Sequence, residues 1–233
     1  MTAAFAALLF AHALADFILQ TNWMAAHKRH PAALAAHALT VLATAAASTG
    51  TASPWLLALM AAHIAIDLAK SFWPTRGLGP FLVDQAAHLA TLAAFAPLLP
   101  PGLWQPYPQA ATLMALAAGM ILSTRAGGFA VGMLMEPWIT AAPAGLPGGG
   151  RMIGLLERGL IFALILTDQA GGIGYLVAAK SVLRFGAVRN EGKLSEYVII
   201  GTLASVFWAI AVAAGTSALL AHLPPLGIPD LTP

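Results

Sequence analysis

Four histidines and three aspartates sit inside otherwise apolar stretches: His12, Asp16, His37, His63, Asp67, Asp84 and His88. His12 and Asp16 stand four residues apart in AHALADFILQ, and His63 and Asp67 repeat that spacing in AHIAIDLAK. Residues four apart on a helix share a face. With no cysteine in the chain, an imidazole and carboxylate set suits Zn, Mn or Fe, and facing helices can bring such side chains onto one or two ions. Seven candidates exceed the three or four protein ligands of a catalytic zinc, so either two ions bind or some aspartates orient a histidine. Such a metal can activate water for hydrolysis. Two other readings fit the same residues: a proton or ion path, and a polar network that holds helices together.

A second group lies further on. Lys180 and Arg184 share a helical face in AAKSVLRF, beside Ser181, and could hold a phosphate or other anionic headgroup. Glu157, Arg158, Glu196 and Lys70 occupy similar boundary positions and are candidate supporting residues. Basic residues at such boundaries also snorkel to the interface and set topology. That reading suits Arg189 and Lys193, and leaves Lys180 and Glu157 open between the two. His27 and His30 read as loop histidines in AAHKRHP, and His222 as incidental. No residue is assigned a catalytic step by the sequence.

The elements that must position these side chains follow from composition. Of 233 residues, 59% are hydrophobic and 9% charged, with a mean hydropathy of +0.81. Soluble domains carry roughly 25% charged residues, so the chain reads as an all-α, polytopic membrane bundle with membrane lipid as its first partner. A net charge of +2 gives no nucleic-acid surface. The first apolar run has no basic region before it and no clear cleavage site, which predicts that it is retained as a span. Apolar runs predict eight helices near 2–20, 32–48, 54–70, 80–99, 108–124, 152–168, 171–184 and 195–221, the seventh short for a span, hence about 7–8 transmembrane helices. The stretch 125–139 extends helix five or lies at the interface. We read one integral membrane domain over 1–233, with 108–221 as its C-terminal helices and a Pro-rich tail at 222–233.

Alternating the sides places all eleven Lys and Arg on one face, while STGTASP and PPGLWQPYP on the other carry no charge. The positive-inside rule then makes the charged side cytoplasmic and puts both termini outside, in a bacterial inner membrane.

A gapless offset of 51 carries His12 onto His63, Asp16 onto Asp67 and His37 onto His88. Residues 1–48 and 52–99 therefore read as two copies of one helical hairpin, parallel because each copy crosses twice. Asp84 breaks the symmetry, with Ala33 as its counterpart. At 1.5 Å per residue the four imidazoles fall at one depth, roughly 7–12 Å inside the charged boundary, with the aspartates about a turn nearer to it.

These strings, with AHALADFILQTNWMAAHK, DQAAH, ER at 157–158 and EYVIIGT, resemble a bacterial membrane family catalogued as domain of unknown function 3307 (DUF3307). The resemblance implies a membrane protein and no activity. The His/Asp layout is also similar, by analogy alone, to membrane-bound metal-dependent hydrolases. The expectation is a metal-binding membrane protein holding one or two Zn, Mn or Fe ions and hydrolysing an anionic lipid or lipid-linked substrate from the cytoplasmic side. A proton- or metal-ion-coupled transporter and an accessory subunit of a larger membrane complex are the alternatives.

Overall fold

The computed structural model describes residues 1–72, 77–141, 146–188 and 192–226, with side chains at 140–141 and 183–188 outside that set. The described residues are helical throughout, with no strand among them. The helices are α1 (Thr2–Leu14), α2 (Asn22–Ala26), α3 (Pro31–Thr49), α4 (Trp55–Ser71), α5 (Leu78–Phe95), α6 (Gln109–Ile121), α7 (Gly127–Met135), α8 (Gly149–Leu166), α9 (Gly172–Val188) and α10 (Gly192–Leu220). All eight expected helices are present. The short α2 was not expected, and 125–139 is largely helical, as one of the two readings had it.

Among the described residues, five segments are long and apolar enough to cross a membrane: Thr2–Leu19, Pro31–Thr49, Leu78–Leu98, Gln109–Ile139 and Gly192–Leu220. The 17 residues of α4 fall just short of that length. Arg151, Glu157 and Arg158 interrupt the apolar character of α8. In α9 the apolar part is Gly172–Val182.

The chain divides into two compact units, Met1–Ile121 with Ala218–Thr232, and Leu122–Ser217. In the first, α1 packs on α3, α5 and α6, α3 packs on α4, and α4 packs on α5. Helices α1, α3, α4 and α5 thus close on themselves as a four-helix bundle. Local chemistry sets the helix ends. Thr21 Oγ1 accepts from Met24 N at 3.2 Å to cap α2, and Pro31 opens α3 behind His30, whose Nδ1 accepts from Ala32 N. Gly50 ends α3 in the left-handed region, with φ +65°, where a residue without Cβ carries no steric penalty.

The bundle core is an apolar layer of Leu8, Ala11, Ala45, Leu56, Leu59, Leu92 and Ala96. Leu8 precedes His12 by one turn, Leu59 precedes His63 by one turn, and Leu92 follows His88 by one turn. This layer therefore lies directly against His12, His63 and His88, on the side away from the aspartates.

The second unit is organised around a π-helical turn, Leu122–Ala126. A π turn aims backbone carbonyls away from the regular helical ladder. Arg158, 4% exposed, donates to Thr124 O through Nε at 3.3 Å and Nη2 at 3.0 Å. Its Nη1 donates to Ser205 Oγ at 3.2 Å. Trp208 Nε1 donates to Leu122 O at 2.9 Å. Gly127 makes this packing possible, since a Cβ there would lie 2.6 Å from the Trp208 ring.

Candidate metal centre

The four-helix bundle brings all seven predicted residues into one layer. His12, His37, His63, Asp67, Asp84 and His88 are buried, and the Asp16 side chain is only 9% exposed. Asp16 lies in a π-helical turn, Ala15–Leu19, that continues α1. π turns of this kind recur at functional sites.

The centre of the layer is a meeting of His37 and His63, whose Nε2 atoms are 3.2 Å apart. Two carboxylates face the same pair. Asp16 Oδ1 is 3.3 Å from His63 Nε2 and 3.7 Å from His37 Nε2. Asp67 Oδ2 is 3.2 Å from His37 Nε2 and 3.9 Å from His63 Nε2. The other two imidazoles flank this group: the His63 and His88 ring centroids are 4.2 Å apart, and His12 stacks on His88 at 5.0 Å.

The outer contacts fix which ring nitrogens carry lone pairs. His88 Nδ1 donates to the main-chain carbonyl of Asp84 at 2.9 Å, which leaves Nε2 as an acceptor inside the layer. Gln85 Nε2 donates to Asp84 Oδ2 at 3.0 Å, so its Oε1 faces His12 Nε2 at 3.2 Å. His12 Nε2 is then the donor, and Nδ1 keeps its lone pair. An imidazole whose outward N–H is held by an oxygen is the usual arrangement of a metal-ligating histidine.

Two lysines close the aspartate side. Lys28 Nζ donates to Asp67 Oδ1 and Lys70 Nζ to Asp84 Oδ2, each at 2.6 Å. Their side chains are 23% and 31% exposed, so this is where the layer meets solvent. The loop bearing Lys28 is tied down by its neighbour. Arg29 donates to the Ser71 carbonyl and lies over the Phe72 ring at 4.3 Å.

Three groups of these side chains could each hold a metal ion: His12, Asp16 and His63; His37, His63 and Asp67; and Asp67, Asp84 and His88. The same geometry also permits a hydrogen-bonded network without metal. A cleft of about 460 Å³ at the opposite end of the unit, lined by residues that include Met1, Ser48, Pro97, Trp104 and Tyr107, contains no histidine or carboxylate.

Residues 4–106 match the family described as protein of unknown function (DUF3307). The match spans α1 to the loop after α5, so the whole seven-residue layer lies within the DUF3307 region, and the resemblance read from the sequence holds there. The motifs at 157–158, 178–185 and 196–202 lie beyond it. No curated protein and no solved structure shows significant similarity to the chain.

The remaining sequence candidates are not part of this layer, with one exception. Lys70 joins it through Asp84. Lys180 Nζ donates to Glu157 Oε2 at 2.7 Å, so the lysine proposed for an anion already has a carboxylate partner. The Arg184 side chain lies outside the described residues. Arg158 is buried on the π turn of the second unit, and Glu196 is exposed. His27, His30 and His222 are exposed, as loop histidines should be. Sequence reasoning missed Lys28, Gln20 and Gln85. Gln20 Nε2 lies 3.3 Å from His37 Nε2. The two glutamines had a legible trace, as polar residues beside the candidate ligands at the ends of apolar helices. Lys28 had none, because its partner is 39 residues away.

Proposed function

We propose that the DUF3307 region is a membrane-embedded divalent transition-metal centre, held by His12, Asp16, His37, His63, Asp67, Asp84 and His88. One observation carries this reading. Among the described residues, every buried side-chain polar atom without a well-aligned hydrogen bond belongs to this layer: His12 Nδ1, Asp16 Oδ1, His37 Nδ1, Asp67 Oδ2, Asp84 Oδ1 and His88 Nε2. Buried polar atoms without partners are costly, about 1–3 kcal/mol each, and a cation among them would satisfy several at once. The spacing supports it too. Two ligands bonded at about 2.0–2.2 Å in tetrahedral geometry stand roughly 3.3–3.6 Å apart, close to the 3.2–3.9 Å contacts among His37, His63, Asp16 and Asp67.

Zn, Mn or Fe bound there would supply Lewis acidity and an activated water. The reaction class we assign is hydrolysis of an anionic lipid or lipid-linked substrate. The chain's own residues orient the site: His88 and His12 present lone pairs inward, and the lysines leave one oxygen of Asp67 and one of Asp84 facing the imidazoles. The apolar layer behind the histidines favours a site with a single mouth over a proton or ion path. By the positive-inside argument that mouth, on the lysine side, is cytoplasmic, with both termini outside in a bacterial inner membrane. The matching i,i+4 pairs, His12–Asp16 at 3.7 Å and His63–Asp67 at 3.9 Å, support a duplicated hairpin over 1–48 and 52–99.

The test is elemental analysis of the full chain purified in detergent without added metal, with thermal melts in the presence and absence of chelator. The expected result is bound transition metal and a lower melting temperature after chelation. Folded protein that is metal-free, unaffected by chelator and not stabilised by added Zn, Mn or Fe would overturn the reading.

A further inference from the structure

Lys28 and Lys70 make the same contact at two places in the layer. Each gives a 2.6 Å charge-assisted hydrogen bond to one oxygen of a buried aspartate. In each case the second oxygen is buried, faces the imidazoles and has no well-aligned hydrogen bond: Asp67 Oδ2 lies 3.2 Å from His37 Nε2, and Asp84 Oδ1 lies 3.8 Å from His88 Nδ1. Each lysine thus takes the outer oxygen and leaves the inner one.

This arrangement has a consequence for charge. Asp16, Asp67 and Asp84 bring three negative charges, and the two lysines offset two of them. With neutral imidazoles the layer carries one net negative charge. One divalent ion turns that into a single positive charge. Two would give three positive charges in a buried layer, against strong mutual repulsion at short range and low dielectric. A lysine on the outer oxygen also prevents either aspartate from bridging two ions through both of its oxygens.

We infer that Lys28 and Lys70 are built-in monovalent counter-ions that limit the layer to one divalent ion per chain and hold Asp67 and Asp84 as one-oxygen ligands. This rests on the metal reading and refines it. It also gives the loop tether a purpose, since the Arg29 contacts with Ser71 and Phe72 keep Lys28 over Asp67.

The experiment is a zinc titration of the chelator-treated full chain in detergent, followed by removal of free ion and measurement of zinc per chain. It compares wild type, Lys28→Met/Lys70→Met, Lys28→Arg/Lys70→Arg and His63→Ala. The expected result is one ion for wild type and for the arginine variant, two for the methionine variant, and at least a tenfold weaker site for His63→Ala. Wild type and methionine variant both holding one ion with equal affinity would overturn this inference and leave the metal reading intact. Two ions in wild type would overturn it as well. No zinc in either protein would overturn both. Zinc in the methionine variant alone would overturn both, the lysines then standing in place of an ion in wild type. If the double variant does not fold, Lys28→Met alone is measured. A tenfold or greater gain in zinc affinity is expected, and unchanged affinity overturns the inference.

Discussion

The Nε2 atoms of His37 and His63 face each other at 3.2 Å, each also within 4 Å of carboxylate oxygens from Asp16 and Asp67. A ring nitrogen either donates or accepts, so two neutral imidazoles cannot serve each other and both carboxylates equally well. The pair is the point of greatest conflict in the layer, and variants there should have the largest effect on a bound ion. His37→Ala and His63→Ala are each expected to lower metal content at least tenfold, whereas the exposed His222→Ala leaves it unchanged. Elemental analysis of the three purified variants checks this, and equal loss in all three would count against it.

Gln85 links two parts of the centre, fixing the His12 ring through Oε1 and bracing Asp84 through Nε2. Residues that orient a ligand typically contribute about 10–100-fold to metal affinity. Gln85→Leu should fall in that range, and Gln85→Glu as well, since its carboxylate keeps an oxygen for His12 but has no N–H to donate to Asp84 Oδ2. A competition titration with a chromogenic chelator measures both.

The sequence made residue type and spacing legible here. The offset of 51 drew His12, Asp16, His37, His63, Asp67 and His88 together, all six lie in the layer, and the apolar runs located the helices. The π turn at Ala15–Leu19 was not legible, because Asp16 fits a regular i,i+4 pattern as well as a bulged one. Lys28 read as an ordinary loop charge, since its bond to Asp67 depends on how the loop folds back over α4. Five described segments are long and apolar enough to cross a membrane, against the 7–8 spans expected. Hydropathy locates a helix but does not say whether 17 residues, or 18 with three charges, cross the membrane.

Leu59 stacks in the apolar layer one turn from His63 and is 3% exposed. Leu59→Ala is expected to cost about 2–5 kcal/mol, chiefly through the cavity it leaves. The check is a lower midpoint of unfolding in mild detergent, with a larger drop than for the exposed Leu57→Ala.

In the second unit, Arg158 provides three hydrogen bonds in a buried site. Arg158→Met should destabilise the protein by about 1–3 kcal/mol, because it removes buried charge-assisted hydrogen bonds to Thr124 O and Ser205 Oγ, while metal content stays at the wild-type level. Melting and elemental analysis on the same sample separate the two effects. A loss of metal without a loss of stability would mean that Arg158 acts on the centre.

The proposed orientation, with the lysine side cytoplasmic, rests on the one-sided charges. A single cysteine at the exposed Gln105 should react with a membrane-impermeant thiol reagent in intact cells, and one at Gly77 should not. Labelling at Gly77 alone would invert the assignment of sides.

The leucine layer behind the histidines has an electrical meaning. Leu8, Leu59 and Leu92 form dry, close-packed material across the bundle, whereas the lysine side is partly open to water. A membrane potential falls across insulating material, at about 2.3 kcal/mol per elementary charge for each 100 mV. The drop would therefore lie across the leucines, and the polar layer would sit at the potential of the aqueous phase on the lysine side. A cation reaching Asp67 or Asp84 from that side would cross almost none of the field, so its binding should be nearly indifferent to voltage.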